Sequence, residues 1–388
     1  MNLIIIPFHD WRKILQEGFR TRDSHIIEHL TKNTKVKKIL IINRPTTKLE
    51  IFLKNKSKIN GELISKTNNA LLYKINECLY VHDFVSNDYY GQIIKRRKWF
   101  GEKFRDKIFV ESVIKSTDFL EMTPFNILSF NIFASGLIKN LNSRNKIFDA
   151  FDNMLKFPAY RNIREYIRSN YIEYSRCIDK WTTNSEINKN YYINSFGVKN
   201  CSIIRNGVDI ARFSQASIIP IDMKHIKAPV IGFGGKITHL FNYTLFNYLS
   251  KNNPNFTFII IGQIIDKKTY KKINKYSNVI YLGDKKYSEY PNYIKYFNVC
   301  IIPYNVGKKE HGGDAIKAYE YIAAGKPVVS TKITGIESLN NHIEIVESKE
   351  AFSNKIRKFV AMKSFVQTKI DNQHTWAYKT DQYLDTFC

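Results

Sequence analysis

Short, almost continuously apolar runs recur along the whole chain, and polar segments with helical spacing separate them. Runs of this kind are typical of parallel strands, because such strands are covered on both faces and have no polar side. The alternation predicts repeated β-α-β units and therefore an α/β fold built from doubly wound parallel sheets. The strand candidates are Leu3–Ile6, Val36–Ile42, Leu79–His82, Ile108–Glu111, Lys146–Ala150, Val230–Phe233, Phe256–Ile261, Val279–Leu282, Val299–Ile302 and Pro327–Ser330.

The length of the chain favours more than one hydrophobic core. At roughly 100 to 200 residues per domain, a chain of 388 residues is expected to form two domains. A polar, irregular stretch over residues 209–228 is the candidate linker between them. We expect a first Rossmann-like domain over residues 1–208, a second over residues 209–372, and a terminal helix over residues 373–388 that packs back across the first domain.

The chain is strongly basic, with a net charge of +25 that is spread over both halves. A protein of this charge should associate with polyanions such as nucleotides or anionic lipid in a salt-dependent way. No helix-turn-helix, RNA-binding or zinc-finger pattern accompanies the charge, so nucleic acid is not an expected partner. The five cysteines are scattered and the sequence has no Asp-x-Asp pair, so we expect neither disulfides nor a metal site.

Two features of the sequence bear on where the chain works. Its longest apolar runs fall short of the roughly 18 to 20 residues that a membrane-spanning helix needs. Its first residues resemble a β-strand more than a signal peptide, because they lack a basic segment and a cleavage site. We therefore expect a cytoplasmic protein.

One basic amphipathic stretch, residues 93–108, suggests contact with a membrane surface. Its apolar side chains can share one helical face, and basic side chains and a tryptophan flank that face. Such a pattern suits peripheral binding at the inner face of an anionic membrane, but a helix that buries its apolar face in the core explains it equally well. The candidate membrane residues are Lys95, Arg96, Arg97, Lys98 and Trp99.

A glycine turn follows the strand candidate that begins at Val230. Gly234 and Gly235 would let backbone N–H groups approach a phosphate, and Lys236 adds a positive charge beside them. The pattern is neither a full dinucleotide-binding fingerprint nor a P-loop, so an ordinary tight turn explains it equally well.

A second glycine-containing segment opens a helix that ends before the strand at Pro327. Within this helix Lys317 and Glu320 lie three residues apart and therefore on one face. The helix N-terminus and Lys317 would bind a diphosphate while Glu320 accepts hydrogen bonds from ribose hydroxyl groups, or the two charges simply belong to a solvated face. Further candidates for the same ligand are His311, Gly313 and Asp314.

These residues carry a resemblance to a known family. The stretch from Lys317 to Val329 resembles the donor-binding helix of GT-B glycosyltransferases, in particular enzymes similar to family 4 and to the teichuronic-acid and capsule types. Other segments resemble landmarks of that family and follow in its order from about residue 145 to the end, whereas residues 1 to about 140 match less clearly. They are Ile147–Asp152, Trp181–Glu186, Ile203–Asp209, Tyr281–Gly283, Ile302–Tyr304 and His374–Trp376.

The resemblance implies a GT-B fold, in which two Rossmann-like domains face an interdomain cleft, and a sugar transfer that needs no metal. It implies a nucleotide diphosphate sugar as co-substrate, with a UDP-sugar favoured, and no cofactor. The family usually has another glutamate eight positions before the one that matches Glu320, but residue 312 is glycine. The stereochemical outcome, retaining or inverting, is therefore left open.

The first domain of this fold binds the acceptor, and polar residues follow two of its strand candidates. Because ligands of parallel sheets bind at the carboxyl ends of the strands, we expect these residues near the acceptor. A carboxylate or an imidazole there can take the proton of an acceptor hydroxyl, although helix capping is an alternative role for the acids. The candidate catalytic residues are Asp152, His9 and Asp149, and the candidate acceptor-binding residues are Asp10, Arg20 and Arg22.

Together these features predict a glycosyltransferase that moves a sugar from a nucleotide diphosphate donor to a hydroxyl group of a surface polysaccharide or a lipid-linked glycan. One alternative keeps the fold but assigns it to an epimerase or a phosphorylase. Another, from a different class, is a basic nucleic-acid-binding protein, for which binding to DNA or RNA would weaken steeply with salt.

Overall fold

The computed structural model describes residues 1–54, 56, 58–67, 69–215, 218–307, 310, 312–362, 364–366 and 369–387. The chain divides into two units, each with its own sheet. Unit 1 comprises Met1–Ile204 together with Thr380–Cys388, and unit 2 comprises Arg205–Lys379.

Unit 1 contains a sheet whose strands come from nearly its whole length. In chain order, the strands that the structure describes are β1 (Asn2–Ile6), β2 (Lys38–Ile42), β3 (Thr46–Thr47), β4 (Glu62–Lys66), β5 (Ala70–Lys74), β6 (Leu79–Ser86), β7 (Phe125–Ser129), β8 (Lys146–Asp149), β9 (Lys180–Thr183) and β10 (Cys201–Ile203).

The strands of unit 1 lie in the order β10-β9-β8-β7-β1-β2-β6-β5-β4, and β3 pairs with β6. Only the β4–β5 and β5–β6 pairs are antiparallel among the described pairs. Strand β1 lies between β2 and β7, with Leu3 opposite Ile39 on one side and Asn126 on the other. Its residues from Leu3 onward are fully buried, which accounts for their continuous apolar character.

Helices of unit 1 connect these strands. They are α1 (Trp11–Glu17), α2 (Arg22–Leu30), α3 (Lys48–Leu53), α4 (Tyr89–Lys95), α5 (Arg97–Arg105), α6 (Lys107–Phe119), α7 (Ser135–Asn140), α8 (Arg164–Cys177) and α9 (Glu186–Phe196).

Unit 2 contains a second sheet. Its strands in the described residues are β11 (Val230–Gly234), β12 (Thr257–Ile261), β13 (Val279–Tyr281), β14 (Val299–Ile302), β15 (Val328–Thr331) and β16 (Glu344–Val346). They lie in the order β13-β12-β11-β14-β15-β16, and all of the described pairs between them are parallel. Its buried apolar residues divide into two clusters that share β12, β14 and β15, as expected of a sheet covered on both faces. Its helices are α10 (Ile210–Ser214), α11 (Tyr243–Asn252), α12 (Lys267–Lys271), α13 (Tyr290–Lys295), α14 (Ile316–Ala323) and α15 (Lys349–Ala361), and α16 (Trp376–Thr386) follows them.

The predicted doubly wound α/β architecture is confirmed in both sheets. One predicted strand is wrong, because Ile108–Glu111 lies in α6. Asp106 caps this helix by accepting a hydrogen bond from the Ile108 N–H at 2.9 Å, and Phe109 and Val113 are buried one turn apart. A four-residue apolar run does not by itself distinguish a strand from a buried helical segment.

The basic stretch at residues 93–108 does not form one amphipathic helix. Helix α4 ends at Lys95, and Arg96 has a φ of 49°, a left-handed value that interrupts the helical path before α5. Asp106 then separates α5 from α6. In the part of the chain that the structure describes, no helix combines the length and the apolar character needed to span a membrane.

A buried ion pair ties the last helix to the sheet of unit 1. Arg22 donates from Nε to Asp149 at 2.8 Å and from Nη2 to the Tyr383 hydroxyl at 2.8 Å. The Tyr383 hydroxyl in turn donates to the same Asp149 carboxylate, and Arg22 also donates to the Ile204 carbonyl at 2.5 Å. The side chains of Arg22 and Asp149 are almost completely buried. These two residues therefore have a structural role in unit 1, whereas a catalytic Asp149 and an acceptor-binding Arg22 stay predictions.

We expect Arg22→Met to lower the free energy of unfolding of unit 1 by about 3–5 kcal/mol, because it leaves the Asp149 carboxylate buried without its cation. Tyr383→Phe removes only hydroxyl hydrogen bonds and should cost about 1–3 kcal/mol. Urea unfolding followed by circular dichroism measures both. The control is Asp385→Ala on the same helix, whose exposed pair with Lys35 should contribute under about 1 kcal/mol. Equal losses in Arg22→Met and Asp385→Ala would contradict this account.

Candidate functional site

The glycine turn after β11 gives Lys317 its position. An ideal Cβ on Gly235 would lie 2.6 Å from Cε of Lys317 and 2.8 Å from its Nζ, closer than real Cβ contacts come. The φ of Gly235 is also +148°, which side-chain-bearing residues rarely adopt. Glycine at this position therefore leaves the space that the lysine side chain occupies.

Aromatic rings hold the Lys317 ammonium group in place. Nζ lies 5.1 Å from the centre of the Phe233 ring and 4.4 Å from that of Tyr304, and it donates a hydrogen bond to the Tyr304 hydroxyl. Cation–π contacts of this kind favour a fixed position for the charge. The sequence predicted Lys317 but gave no sign of the two aromatic partners.

The amides of the glycine turn are used within unit 2. The Gly234 N–H donates to the Tyr321 hydroxyl at 2.7 Å, and the Gly235 N–H donates to the Ile261 carbonyl at 2.8 Å. The structure thus gives these glycines a steric role beside Lys317, whereas the sequence pattern suggested that their amides approach a phosphate. Lys236, the next residue, is half-buried.

Helix α14 begins in a way that favours an anion. Its N-cap residue is Ala315, and no described side chain caps it. Its first turn holds Lys317 and no acid. A cation at a helix N-terminus is unfavourable in the field of the helix dipole, whereas a bound anion interacts favourably with both the lysine and the dipole.

Glu320 lies one turn further along α14 and is buried. The Tyr287 hydroxyl donates to its Oε1 at 2.7 Å. Burial raises the pKa of Glu320 to about 7, and the Tyr287 hydrogen bond, Lys317 and Arg212 oppose that rise. The Arg212 guanidinium lies 5.2 Å from the centre of the Tyr287 ring. Lys317, Glu320, Tyr287 and Arg212 therefore form one polar cluster, of which the sequence predicted the first two.

Asp314 was predicted to contact the same ligand, but its carboxylate is engaged inside unit 2. It accepts hydrogen bonds from the Asn206 N–H at 2.7 Å and from the Tyr319 hydroxyl at 3.0 Å. The Asn206 side chain donates back to the Asp314 carbonyl at 2.5 Å. Asp314 thus fixes the segment before α14, Gly313 lies half-buried in that segment, and His311 falls outside the described residues.

Glu310 was missed by the sequence analysis, although it lies two positions before the glycine that replaces the expected glutamate. Its carboxylate accepts hydrogen bonds from the Gly307 N–H at 2.8 Å and from the Thr334 N–H at 2.6 Å. Glu310 therefore joins the loop before α14 to the loop that follows β15.

In unit 1, His9 follows β1 and contacts a carboxylate that the sequence analysis did not single out. The ring nitrogen Nδ1 of His9 lies 3.1 Å from both carboxylate oxygens of Asp23. The backbone N–H of His9 donates to Oδ2 of Asp23 at 3.0 Å. The Asp23 side chain is fully buried, whereas that of His9 keeps 17% of its exposure. Asp23 lies in the first turn of α2, fourteen residues along the chain.

The other polar residues after β1 have structural partners. Asp10 caps α1 by accepting a hydrogen bond from the Arg12 N–H at 3.0 Å, and it pairs with Lys56 at 2.7 Å. This is the capping role that the sequence left open. Arg20 donates to Glu17 at 3.0 Å.

Asp152 follows β8 and is half-buried. Its backbone carbonyl accepts a long hydrogen bond from the Tyr171 hydroxyl at 3.4 Å. The adjacent Phe151 ring meets Phe8 edge to face at 6.3 Å, and the Phe8 ring contacts that of His9 at 5.2 Å. The segments after β1 and β8 are therefore neighbours, as predicted for the carboxyl ends of strands in one sheet.

The candidate membrane residues differ in their surroundings. Trp99 is fully buried and donates to Asp88 at 3.0 Å, so its predicted role at a membrane surface is wrong. The Arg97 guanidinium lies 4.8 Å from the Tyr160 ring and donates to the Ala159 carbonyl, which directs it towards the protein. Besides Lys95, α4 exposes apolar side chains, with Tyr90 at 82%, Ile93 at 60% and Ile94 at 76% exposure.

The raised pKa of Glu320 predicts a pH-dependent stability. The unfolded chain releases this proton near pH 4.5 and the folded chain near pH 7, so the free energy of unfolding should fall by about 3 kcal/mol as pH rises between these values. Glu320→Gln should remove this loss and become more stable than the wild type near pH 8. Urea unfolding at pH 5 and pH 8 measures the difference, and the exposed Glu347→Gln serves as control. A wild-type minus Glu320→Gln difference that stays constant with pH would refute the prediction.

Comparison with known proteins finds a family match in the C-terminal part of the chain. Residues 241–378 match the family model described as glycosyl transferases group 1. TuaH of Bacillus subtilis (strain 168), which its name assigns to teichuronic acid biosynthesis as a glycosyltransferase, is 26% identical over 134 residues. The match covers 34% of this chain and 34% of TuaH, so the aligned region spans about a third of the relative's length.

Solved structures share the fold over the whole chain. Sucrose-phosphate synthase from Thermosynechococcus elongatus matches with a TM-score of 0.68 and 11% identity, over 100% of this chain and 98% of its own. A trehalose 6-phosphate synthase from Burkholderia multivorans matches with a TM-score of 0.63 and 11% identity, over 100% and 94%. The E. coli trehalose-6-phosphate structure bound with UDP-2-fluoro glucose matches with a TM-score of 0.61 and 10% identity, over 100% and 95%. At these identities the likeness establishes the fold.

The resemblance found in the sequence is therefore confirmed. The chain has the GT-B fold of these solved structures, and its residues 241–378 match the model of the group 1 glycosyl transferases.

Proposed function

We propose that this chain transfers a sugar from a nucleotide diphosphate donor to a hydroxyl group of a glycan. The observation that carries the proposal is the position of Lys317, held against Gly235 by two aromatic rings at an uncapped helix N-terminus. A fixed ammonium group and helix N–H groups are together suited to a diphosphate, the leaving group of this reaction. The match to glycosyl transferases group 1 over the same region supports this assignment and does not favour the epimerase, phosphorylase or nucleic-acid alternatives.

The residues around Lys317 suit the rest of a nucleotide. Glu320 is held by Tyr287, and its second carboxylate oxygen can accept hydrogen bonds from ribose hydroxyl groups. Lys236 follows the glycine turn and remains a candidate for the diphosphate. The E. coli neighbour was solved with a UDP-sugar, so UDP is the first donor fragment to test.

The acceptor proposal comes from TuaH, which carries a teichuronic acid assignment in its name. We propose a surface polysaccharide or its lipid-linked precursor as the acceptor class. In unit 1, His9 and Asp152 are the remaining candidates for taking the proton of the acceptor hydroxyl, because Asp149 is committed to its pair with Arg22.

We also propose that the chain works in the cytoplasm and binds peripherally to the inner face of the membrane. The apolar patch formed by Phe52 and Leu53 of α3 and Tyr90, Ile93 and Ile94 of α4 is strongly exposed. Gln92 of α4 joins the two helices by donating to Glu50 of α3 at 2.5 Å. Exposed basic residues of the same two segments accompany the patch and suit an anionic bilayer: Lys48, Lys54, Lys95, Arg96 and Lys98.

We expect calorimetric titration with UDP to show binding to the wild type and a 10- to 100-fold weaker affinity for Lys317→Ala, because about 1.5–3 kcal/mol of charge-assisted hydrogen bonding is lost. Glu320→Ala should weaken binding of UDP through the ribose. The control Lys332→Ala removes an exposed lysine of the same unit and should bind normally. If neither UDP, GDP, ADP nor CMP binds the wild type, the proposed function fails.

The apolar patch predicts that Ile93→Ser/Ile94→Ser reduces binding to vesicles of phosphatidylglycerol and phosphatidylcholine by about ten-fold or more, since two exposed isoleucines lose their burial in lipid. Neutralising Lys95 and Lys98 should weaken binding mainly at low salt. Flotation of the vesicles measures both effects. The matched control is Ile187→Ser, an exposed isoleucine of α9 in the same unit. Unchanged flotation of both test variants would refute peripheral binding through this patch.

A further inference from the structure

We propose that Asp23 is the positioning residue for His9 and that His9 is the general base that takes the proton of the acceptor hydroxyl. The inference rests on the proposed sugar transfer and assigns its base.

The geometry of the pair gives each partner one role. Both carboxylate oxygens of Asp23 lie 3.1 Å from Nδ1 of His9, and Asp23 is fully buried, so the carboxylate itself cannot reach a substrate. The Thr21 hydroxyl donates to Oδ1 of Asp23 at 2.5 Å, and the Ser24 N–H donates to the same oxygen at 3.0 Å. An acceptor-only group surrounded by donors stays ionised, and it therefore keeps the proton of the imidazole on Nδ1. Nε2 is then the nitrogen that can accept a proton.

The charge state of Asp23 agrees with this role. Although burial opposes it, the adjacent His9 and the surrounding donors lower the pKa of Asp23 well below its usual value. The carboxylate is thus charged at neutral pH, and it can stabilise the imidazolium ion that forms when His9 takes a proton.

The loop that carries His9 is fixed from both neighbouring strands. Asn131, after β7, donates to the Pro7 carbonyl at 3.1 Å, and Asn43, after β2, accepts from the Trp11 N–H at 2.8 Å. With the His9 N–H bonded to Asp23, the loop is held at three points. Such anchoring keeps a catalytic group in a productive orientation without further ordering when substrate binds.

The chemistry of the step fits an imidazole. As the acceptor O–H bond breaks, its proton passes to Nε2 of His9 and its oxygen forms a bond to the anomeric carbon of the donor. The bond between that carbon and the diphosphate oxygen breaks, and the oxygen leaves with the electron pair. In general an imidazole is a stronger base towards an alcohol than a carboxylate is.

Hydrolysis of UDP-glucose, with water as acceptor, tests the base. His9→Ala and Asp23→Asn should each lower kcat by about 100-fold or more while KM for UDP-glucose changes less than two-fold. Asp23→Glu should be faster than Asp23→Asn. The double variant His9→Ala/Asp23→Asn should be no slower than His9→Ala alone. The control Asp106→Asn makes the same change of an acid to its amide at the N-cap of α6 in the same unit and should keep the wild-type rate. A wild-type kcat for Asp23→Asn would overturn the proposal.

Nitrogen-15 NMR of the histidine side chains tests the positioning without any substrate. The wild type should show His9 protonated at Nδ1 when neutral. Asp23→Asn should shift that proton to Nε2, because the amide group of asparagine can donate to Nδ1. The same tautomer in both proteins would overturn the positioning role. A wild type that binds no nucleotide in calorimetry refutes the proposed function instead, and the two failures are therefore distinguishable.

Discussion

The absence of a side chain at Gly235 is the constraint on which the proposed donor site in unit 2 depends. It lets Lys317 lie against the turn after β11, where Phe233 and Tyr304 hold the ammonium group at the start of α14. A positive charge in the first turn of a helix is unfavourable by itself, and it is kept there by these contacts rather than by the helix. The unfavourable field is what makes the position suited to a diphosphate.

The proposed acceptor site in unit 1 uses a different arrangement of parallel strands. Parallel strands bring their carboxyl ends to one edge, and residues that follow β1, β2 and β7 meet there. Asn43 and Asn131 fix the backbone around His9, and Asp23 fixes its side chain. Asn43, Asn131 and Asp23 therefore hold the loop and its side chain in place, and His9 is the residue that we propose to react.

Much of this arrangement could be predicted from the sequence. The rest could not, for physical reasons that particular residues show. Strands that are buried on both faces give continuous apolar runs, so β1 and β14 could be predicted as strands. The short apolar run that begins at Ile108 looks the same in the sequence but lies in a helix. Lys317 and Glu320 share a helical face, which spacing alone reveals. Tyr287 and Asp23 touch their partners from other elements, and no local pattern marks such a contact. Likewise, nothing in the sequence distinguished Asp149, buried beside Arg22, from the half-buried Asp152.

Unit 1 is assembled from both ends of the chain, since the hydroxyl of Tyr383 completes the cluster around Arg22 and Asp149. A ribosome releases this tyrosine only after every residue of unit 2 has been made. During synthesis the cluster around Arg22 and Asp149 therefore stays incomplete until all of unit 2 has been made. The last polar contact of unit 1 thus depends on residues that emerge after its sister unit.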